Sequence, residues 1–271
     1  MTISEACTCL SWWIVAVTSA VARYLAHSCR VEACPSGPPT KELTKGVPMA
    51  QTPVAEPPGS IYRLRVVLAG ISPMIWRQLE VPDSITIAGL HEVLRVAFGW
   101  SGQHLHRFTV RGKEYGIYYE GGMIFDDDPR QVRLVDLGLR ERERFTYAYG
   151  FFANLECWRH DLRVQAIEAP RVRRGYPWCS GGARSAPPED CGGPRAFPAL
   201  RQEHSLWATT VRMAELTTLL LDAPQDNTVR EVLGEAVEEL SELLYWSQVD
   251  CLDRAAVNHA LTGHPTTGAQ L

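Results

Sequence analysis

The chain of 271 residues carries 27 Lys and Arg against 31 Asp and Glu, a net charge of −4, and 45% of its residues are apolar. This composition suits one medium domain with extensions or two small domains. Residues 61–200 are mildly basic, with 19 Lys and Arg against 16 Asp and Glu, whereas residues 201–271 are acidic, with 4 against 11. The net charge of residues 61–200 is therefore +3, far below that of a dedicated nucleic-acid-binding domain. The composition thus disfavours a protein whose main role is to bind nucleic acid.

We expect residues 1–59 to be either a disordered N-terminal extension or a segment that is not translated because the start codon is assigned too early. Their apolar stretch, residues 10–26, is too short for a confident membrane span and lacks the positive flank of a signal peptide. Residues 27–60 are rich in Pro, Gly, Ser and Thr, which is typical of a linker. We expect Met49 to be the true start, and an uncleaved anchor is the alternative.

The eight cysteines show no spacing typical of a disulfide framework, and a chain of this size does not need one. We therefore expect a reducing compartment. The prediction is a cytoplasmic protein that does not associate with a membrane.

Residues 61–81 predict a β-hairpin. In residues 61–70, apolar side chains alternate with Arg63 and Arg65, a pattern typical of a strand with one buried face. Pro73 interrupts this strand, and residues 74–81 predict its partner.

One main helix is predicted after the hairpin. Thr86 can cap it, its apolar residues fall on one face as far as Phe98, and Gly99 ends it. Gly89 weakens its first turn, since an acidic capping partner is missing there.

Further strands are expected in the rest of the basic segment. They are residues 104–112, 113–119, 144–151 and 157–167. Residues 132–139 are ambiguous between a strand and a helical turn, and residues 168–200 contain too much Pro and Gly to predict an element. The predicted fold class is α+β: a mixed or antiparallel sheet packed on one main helix over residues 60–200.

Residues 201–271 predict an acidic helical tail. Residues 204–221 are weakly helical, while residues 228–246 form a strongly amphipathic helix that begins with a capping box of Thr228 and Glu231. This helical pair either docks on the core or mediates self-association through residues 228–246.

Four motifs resemble those of the plasmid pRiA4b ORF-3-like family. They are Ile75-Trp76-Arg77, Phe98-Gly99-Trp100, His104-Leu105-His106 followed by Phe108, and Pro-Pro-Glu-Asp-Cys-Gly-Gly at 187–193. The resemblance implies an α+β fold and an association with plasmids or mobile elements, without an established activity. Where the family has an acidic Asp-Phe-Gly-Asp turn, this chain has Gly150 and a longer spacing to Trp158. If those acids carry a site in the family, this protein has lost it.

Three histidines of the predicted strands are the most notable ionisable residues. His104, His106 and His160 are expected to face an apolar layer, either as core-edge histidines with one hydrogen-bond partner each or as parts of a clustered site. Such a site could serve in acid–base chemistry, or could bind zinc or a similar ion with Asp126, Asp127 or Glu189.

The candidate site residues are His104, His106, Trp158, His160, Glu189 and Asp190. The metal-ligand candidates are His104, His106, His160, Cys179 and Cys191. The loop that holds Glu189 and Asp190 is either simply rigid or a binding surface for a cationic partner.

The leading functional hypothesis is a non-enzymatic binding or accessory module of a mobile element. One alternative is a metal-binding protein or metal-dependent enzyme that uses the clustered histidines. The other is weak nucleic-acid binding through two arginine groups, Arg140, Arg142 and Arg144 with Arg171, Arg173 and Arg174. No residue constellation supports recombinase chemistry.

Overall fold

The computed structural model describes residues 59–116, 125, 127–150, 158–222 and 230–263. All of them lie in one compact unit that spans residues 56–271. The N-terminal extension up to residue 58, Asp126, and Thr228 of the predicted capping box lie outside the described residues.

Seven antiparallel strands form a single sheet. They are β1 (Ile61–Leu68), β2 (Trp76–Pro82), β3 (His106–Val110), β4 (Lys113–Gly116), β5 (Arg144–Tyr149), β6 (Trp158–Glu168) and β7 (Trp178–Ala183). Their order across the sheet is β4-β3-β5-β6-β1-β2-β7. The α+β prediction is confirmed, and the alternation of buried and more exposed residues from Tyr62 to Leu68 in β1 matches the pattern that predicted this strand.

Helix α1 (Ile87–Phe98) packs its apolar face on the sheet. The hydroxyl of Thr86 accepts a hydrogen bond of 3.0 Å from the amide of Gly89, as an N-cap does. Gly99 takes the left-handed conformation, with φ of 69°, and ends the helix. The predicted helix and both of its ends are confirmed.

Residues 168–200 hold two elements that the sequence pattern did not reveal, β7 and helix α2 (Gly193–Glu203). Strand β7 is rich in small residues and shows no alternation, so it lacks the signal that identifies a strand. Helix α2 contains Pro198, which lowers its intrinsic propensity, but Phe197 is buried in the core and stabilises it by tertiary packing. The ambiguous stretch at 132–139 contains a 3-10 turn, Leu134–Leu137.

Three helices follow: α3 (Leu206–Asp222), α4 (Arg230–Ser247) and α5 (Arg254–Gly263). The first two match the predicted helical pair, and α5 was not predicted. Trp246 at the end of α4 stacks on Phe197, with ring centroids 5.9 Å apart. Trp246 and Leu261 belong to the same buried cluster as the sheet and α1. In the described part of the chain, no helix is both long and apolar enough to cross a bilayer.

The edge of the sheet at β7 is closed by one side chain. Asn258 of α5 is buried, accepts a hydrogen bond of 2.7 Å from the amide of Cys179 and donates one of 3.0 Å to its carbonyl oxygen. Its amide group therefore replaces the backbone of a missing neighbouring strand.

Candidate functional site

The loop of residues 187–193, here called the PPED loop, is fastened to the core by two indole rings. Trp100, which follows α1, donates a hydrogen bond of 2.8 Å to the carbonyl oxygen of Pro187. Trp158, at the start of β6, donates one of 2.8 Å to the carbonyl oxygen of Glu189. Both rings are buried, so these two bonds hold the loop in one conformation.

The carboxylate of Glu189 is oriented by two donors, which make three hydrogen bonds to it. It accepts hydrogen bonds from the amide of Ser101 at 3.1 and 3.2 Å and from the hydroxyl of Tyr149 at 2.8 Å. Burial raises the pKa of Glu189, but the hydrogen bonds from Ser101 and Tyr149 and the nearby His104 lower it by more. The net pKa lies below the ordinary value, so the carboxylate is ionised at neutral pH.

His104 lies beside this carboxylate. Its Nε2 is 3.0 Å from Oδ1 of Asp190, which is exposed, and its ring packs edge-on against Tyr149. His104, Glu189 and Asp190 each offer one ligand atom, and the three atoms lie within 4.8 Å of one another. Among the described residues, this is the single group of three or more such side chains.

The donor set suits a divalent ion that prefers nitrogen and oxygen ligands. Ligand atoms bound at about 2.1 Å from zinc lie about 3–3.5 Å apart, so small side-chain movements would close the observed spacing. One imidazole and two carboxylates leave room for water in the remaining positions.

His104 lies outside strand β3, contrary to the prediction that it shares a strand face with His106. The chain turns through Gly102, whose φ is 82°, and β3 begins only at His106. His104 is therefore half-exposed while His106 is buried. The assumption that the strand began at residue 104 was wrong.

His106 is part of a buried pair that the sequence did not reveal. Its ring stacks on that of His91 from α1, with centroids 3.4 Å apart and planes at 5°. The Nδ1 atom of His91 lies 2.8 Å from the hydroxyl of Tyr147. Burial lowers the pKa of both histidines to about 3, so both are neutral at physiological pH. The sequence signal that could have identified His91 as buried is its position on the apolar face of the predicted helix.

His160 faces the core from β6, as predicted. Its ring meets the rings of Phe98 and Trp100 edge-on, at centroid distances of 4.6 and 5.2 Å. Neither of its ring nitrogens has a hydrogen-bond partner within the described residues. Burial lowers its pKa to about 3.

Cys179 and Cys191 do not join the group formed by His104. The thiol of Cys179 is buried and donates to the carbonyl oxygen of Gly181 at 3.3 Å. Burial raises the pKa of both thiols. The structure thus brings together His104, Glu189 and Asp190 of the predicted residues and places Trp158 beneath their loop. The other predicted metal ligands, His106, His160, Cys179 and Cys191, lie outside this group.

Ser101, Tyr149 and Trp100 were missed as site residues. Trp100 had been noted only as part of a motif, and Tyr149 looked like an ordinary inward-facing strand residue. Their role depends on a contact with a loop 40 residues or more further along the chain, which periodicity cannot indicate.

These features define an α+β protein with one open antiparallel sheet and a histidine–carboxylate group at the PPED loop. The sequence profile of the plasmid pRiA4b ORF-3-like proteins matches residues 60–205, and the chain belongs to that family. It is 33% identical over 142 residues, 51% of this chain and 70% of the relative, to an uncharacterised protein, y4hQ, of Sinorhizobium fredii (strain NBRC 101917 / NGR234). A protein of unknown function, MM3350 from Methanosarcina mazei Go1, has a crystal structure that matches 73% of this chain and 96% of its own, with 23% identity and a TM-score of 0.49.

Proposed function

We propose that this protein is a non-enzymatic binding module, an accessory protein of a plasmid or mobile element, that binds a divalent metal ion through His104, Glu189 and Asp190. The proposal is carried by the convergence of these three ligand atoms within 4.8 Å. Two features add support. Glu189 is already ionised and oriented, and the PPED loop that holds both carboxylates is fastened by indole hydrogen bonds.

Binding is favoured over acid–base catalysis by the way in which Glu189 and Tyr149 are held. An efficient general base or acid has a pKa near the working pH. Although burial raises the pKa of Glu189, the hydrogen bonds from Ser101 and Tyr149 lower it below its ordinary value, and burial raises the pKa of the Tyr149 hydroxyl, which bonds both Glu189 and Gly102. These two groups therefore orient ligands rather than exchange protons.

Zinc is the first ion to test, because it accepts imidazole and carboxylate ligands together and leads most divalent ions in affinity. Chelator-treated protein should be titrated with zinc chloride by calorimetry, and the bound metal should be counted after dialysis. We expect about one equivalent bound, as one ion fills the three-ligand site. The variants His104→Gln and Asp190→Asn should weaken binding at least about tenfold each, since each removes one ligand from the ion.

His259→Gln is the matched control, because this histidine is exposed and lies outside the group. Zinc affinity that is the same in the wild type, His104→Gln and Asp190→Asn would exclude the proposed site.

A further inference from the structure

Three arginines lie side by side across neighbouring strands on the outer face of the sheet. In the strand register, Arg163 of β6 is opposite Arg144 of β5 on one side and opposite Arg65 of β1 on the other. Their strand neighbours Phe145, Leu162 and Leu64 are buried, so the three arginines share the opposite face. This arginine row runs directly across three strands.

Such a row is unfavourable by itself. Adjacent strands are about 4.8 Å apart, and like charges placed directly opposite each other destabilise the pair. Elsewhere on this face, carboxylates offset the charge: Arg63 pairs with Glu168 at 3.0 Å, and Arg159 pairs with Asp161 at 3.0 Å.

The arginine row lacks such compensation. Within the described residues, no ion pair involves Arg65, Arg142, Arg144 or Arg163. The guanidinium of Arg65 lies over the ring of Trp76, with Cζ 4.1 Å from the ring centroid, and this contact holds the charge in place without neutralising it.

A groove of about 330 Å³ opens beside Arg163, the middle arginine of the row. Arg63, Arg142, Arg163 and Gln165 line it. Guanidinium groups present paired N–H donors that match the oxygens of a phosphate, and the amide of Gln165 adds a further donor. Three guanidinium groups therefore line the groove, and one of them, that of Arg63, is already paired with Glu168. The groove is large enough for a small anion to enter.

We propose that this groove is an anion site that binds a phosphate group. It lies on the face of the sheet opposite to Tyr149 and Trp158, whose side chains are buried beneath the PPED loop, and it does not depend on the proposed metal site. The phosphate belongs either to a free phosphorylated ligand or to the backbone of a nucleic acid, for which Arg144 and Arg65 offer contacts beyond the groove.

The site differs from the arginine groups considered from the sequence. Arg171 and Arg174 lie 3.6 and 3.0 Å from Glu80, a buried carboxylate that offsets their charge. Arg142 and Arg144 remain candidates. Arg163 is added because the strand register places it opposite Arg144, and Arg63 is added because it lines the same groove.

The first test measures thermal stability of the full chain in sodium phosphate against sodium chloride of equal ionic strength. At a concentration tenfold above its dissociation constant, phosphate should raise the melting temperature by about 3–5 °C over chloride. Arg163→Gln should abolish this difference while keeping or raising the melting temperature in chloride, because it relieves repulsion in the row. A purely structural role for Arg163 would instead lower the melting temperature in both salts.

Arg159→Gln is the matched control, since it lies on the same strand and face but is paired with Asp161. It should keep the phosphate effect. Arg142→Gln, outside the strands, provides a second variant should Arg163→Gln fail to fold, and it should also lose the effect.

A second experiment distinguishes a free phosphorylated ligand from a nucleic-acid backbone. Fluorescence anisotropy with a labelled single-stranded DNA at low salt should show binding that Arg163→Gln and Arg144→Gln weaken, if a nucleic-acid backbone is the ligand. Phosphate protection without DNA binding assigns the site to a free phosphorylated ligand. Equal effects of phosphate and chloride, or a phosphate effect that persists in Arg163→Gln and Arg142→Gln, would overturn the proposal.

Discussion

The hydroxyl of Tyr149 donates a hydrogen bond of 2.8 Å to Oε2 of Glu189 and accepts one of 2.9 Å from the amide of Gly102. Through this one atom, the end of β5, the turn after α1 and the PPED loop are joined. Because Glu189 and His104 flank the same ring, the hydroxyl connects the rigid interior with the proposed metal ligands.

Replacing Tyr149 by Phe tests this connection. The variant keeps the ring that stacks on Trp100 but removes one donor to Glu189 and the acceptor for Gly102. We expect a loss of about 1–2 kcal/mol of stability in urea unfolding, and an increase of about tenfold in the dissociation constant for zinc. Tyr115→Phe is a suitable control, since no hydrogen bond of its hydroxyl is found in the described residues and the variant should match the wild type. Equal effects of the two substitutions would show that the hydroxyl of Tyr149 does not orient the site.

Local periodicity was sufficient to predict the sheet from β1 to β6 and helix α1. In β1 the alternation of apolar residues with Arg63 and Arg65 reports directly which face is buried. Strand β7 could not be predicted in this way, because it pairs with β2 about 100 residues earlier and its other edge is sealed by Asn258 of α5. Its structure is determined by tertiary contacts rather than by its own pattern.

His104, Glu189 and Asp190, which the structure brings together, were among the candidate residues named from the sequence, but their arrangement was not predicted. Glu189 and Asp190 were recognisable as paired carboxylates of a rigid loop, and His104 as a nearby imidazole. The sequence could not indicate that the turn at Gly102 separates His104 from His106, because a strand pattern extends equally well over both residues. It also could not indicate which aromatic residues lie beneath the loop.

The three buried histidines predict an acid-sensitive protein. Because burial lowers their folded-state pKa from 6.5 to about 3, the unfolded chain binds more protons than the folded one below pH 6.5. Their contribution to stability is therefore complete above pH 6.5 and is lost progressively as the pH falls towards 3. For His160 alone the loss amounts to about 2 kcal/mol between pH 7.5 and pH 5. Urea unfolding across this pH range measures it.

His160→Leu isolates that contribution. It replaces two buried nitrogens that lack partners by an apolar group of similar volume, so stability at pH 7.5 should change by less than about 1.5 kcal/mol. The fall in stability from pH 7.5 to pH 5 should be smaller than in the wild type by about 2 kcal/mol. His259→Gln, at an exposed position, should keep the full pH dependence. An unchanged pH profile in His160→Leu would show that His160 is not held neutral by burial.

The C-terminal helices are expected to stabilise the sheet domain. Trp246 of α4 is buried against Phe197 and His204, whereas Trp207 of α3 is 79% exposed. We expect Trp246→Ala to cost about 3–5 kcal/mol and Trp207→Ala less than about 0.5 kcal/mol in chemical unfolding.

Deleting residues 225–271 removes Trp246, Val249 and Leu261 from the core together and should lower the melting temperature further. A deletion variant that melts like the full chain would contradict the packing of these helices on the sheet.

Arg77, the arginine of the Ile75-Trp76-Arg77 motif, closes the junction between α1 and the edge of the sheet. Its buried guanidinium donates hydrogen bonds of 3.0, 2.9 and 3.1 Å to the carbonyl oxygens of Ala97, Trp76 and Ala183. Burial lowers its pKa to about 10, so it remains charged at neutral pH. A lysine ammonium is a single point donor and cannot span acceptors on a helix end and two strands.

We therefore expect Arg77→Lys to destabilise the fold by about 2–4 kcal/mol, because at least one buried carbonyl loses its partner and the cation keeps its desolvation cost. Arg159→Lys provides the comparison, since its guanidinium is exposed, its pair with Asp161 lies at the surface, and the change should cost less than about 1 kcal/mol. Urea unfolding of both variants at pH 7.5 measures the two losses of stability. If Arg77→Lys is as stable as Arg159→Lys, the planar fork of Arg77 is not what joins helix α1 to strand β7.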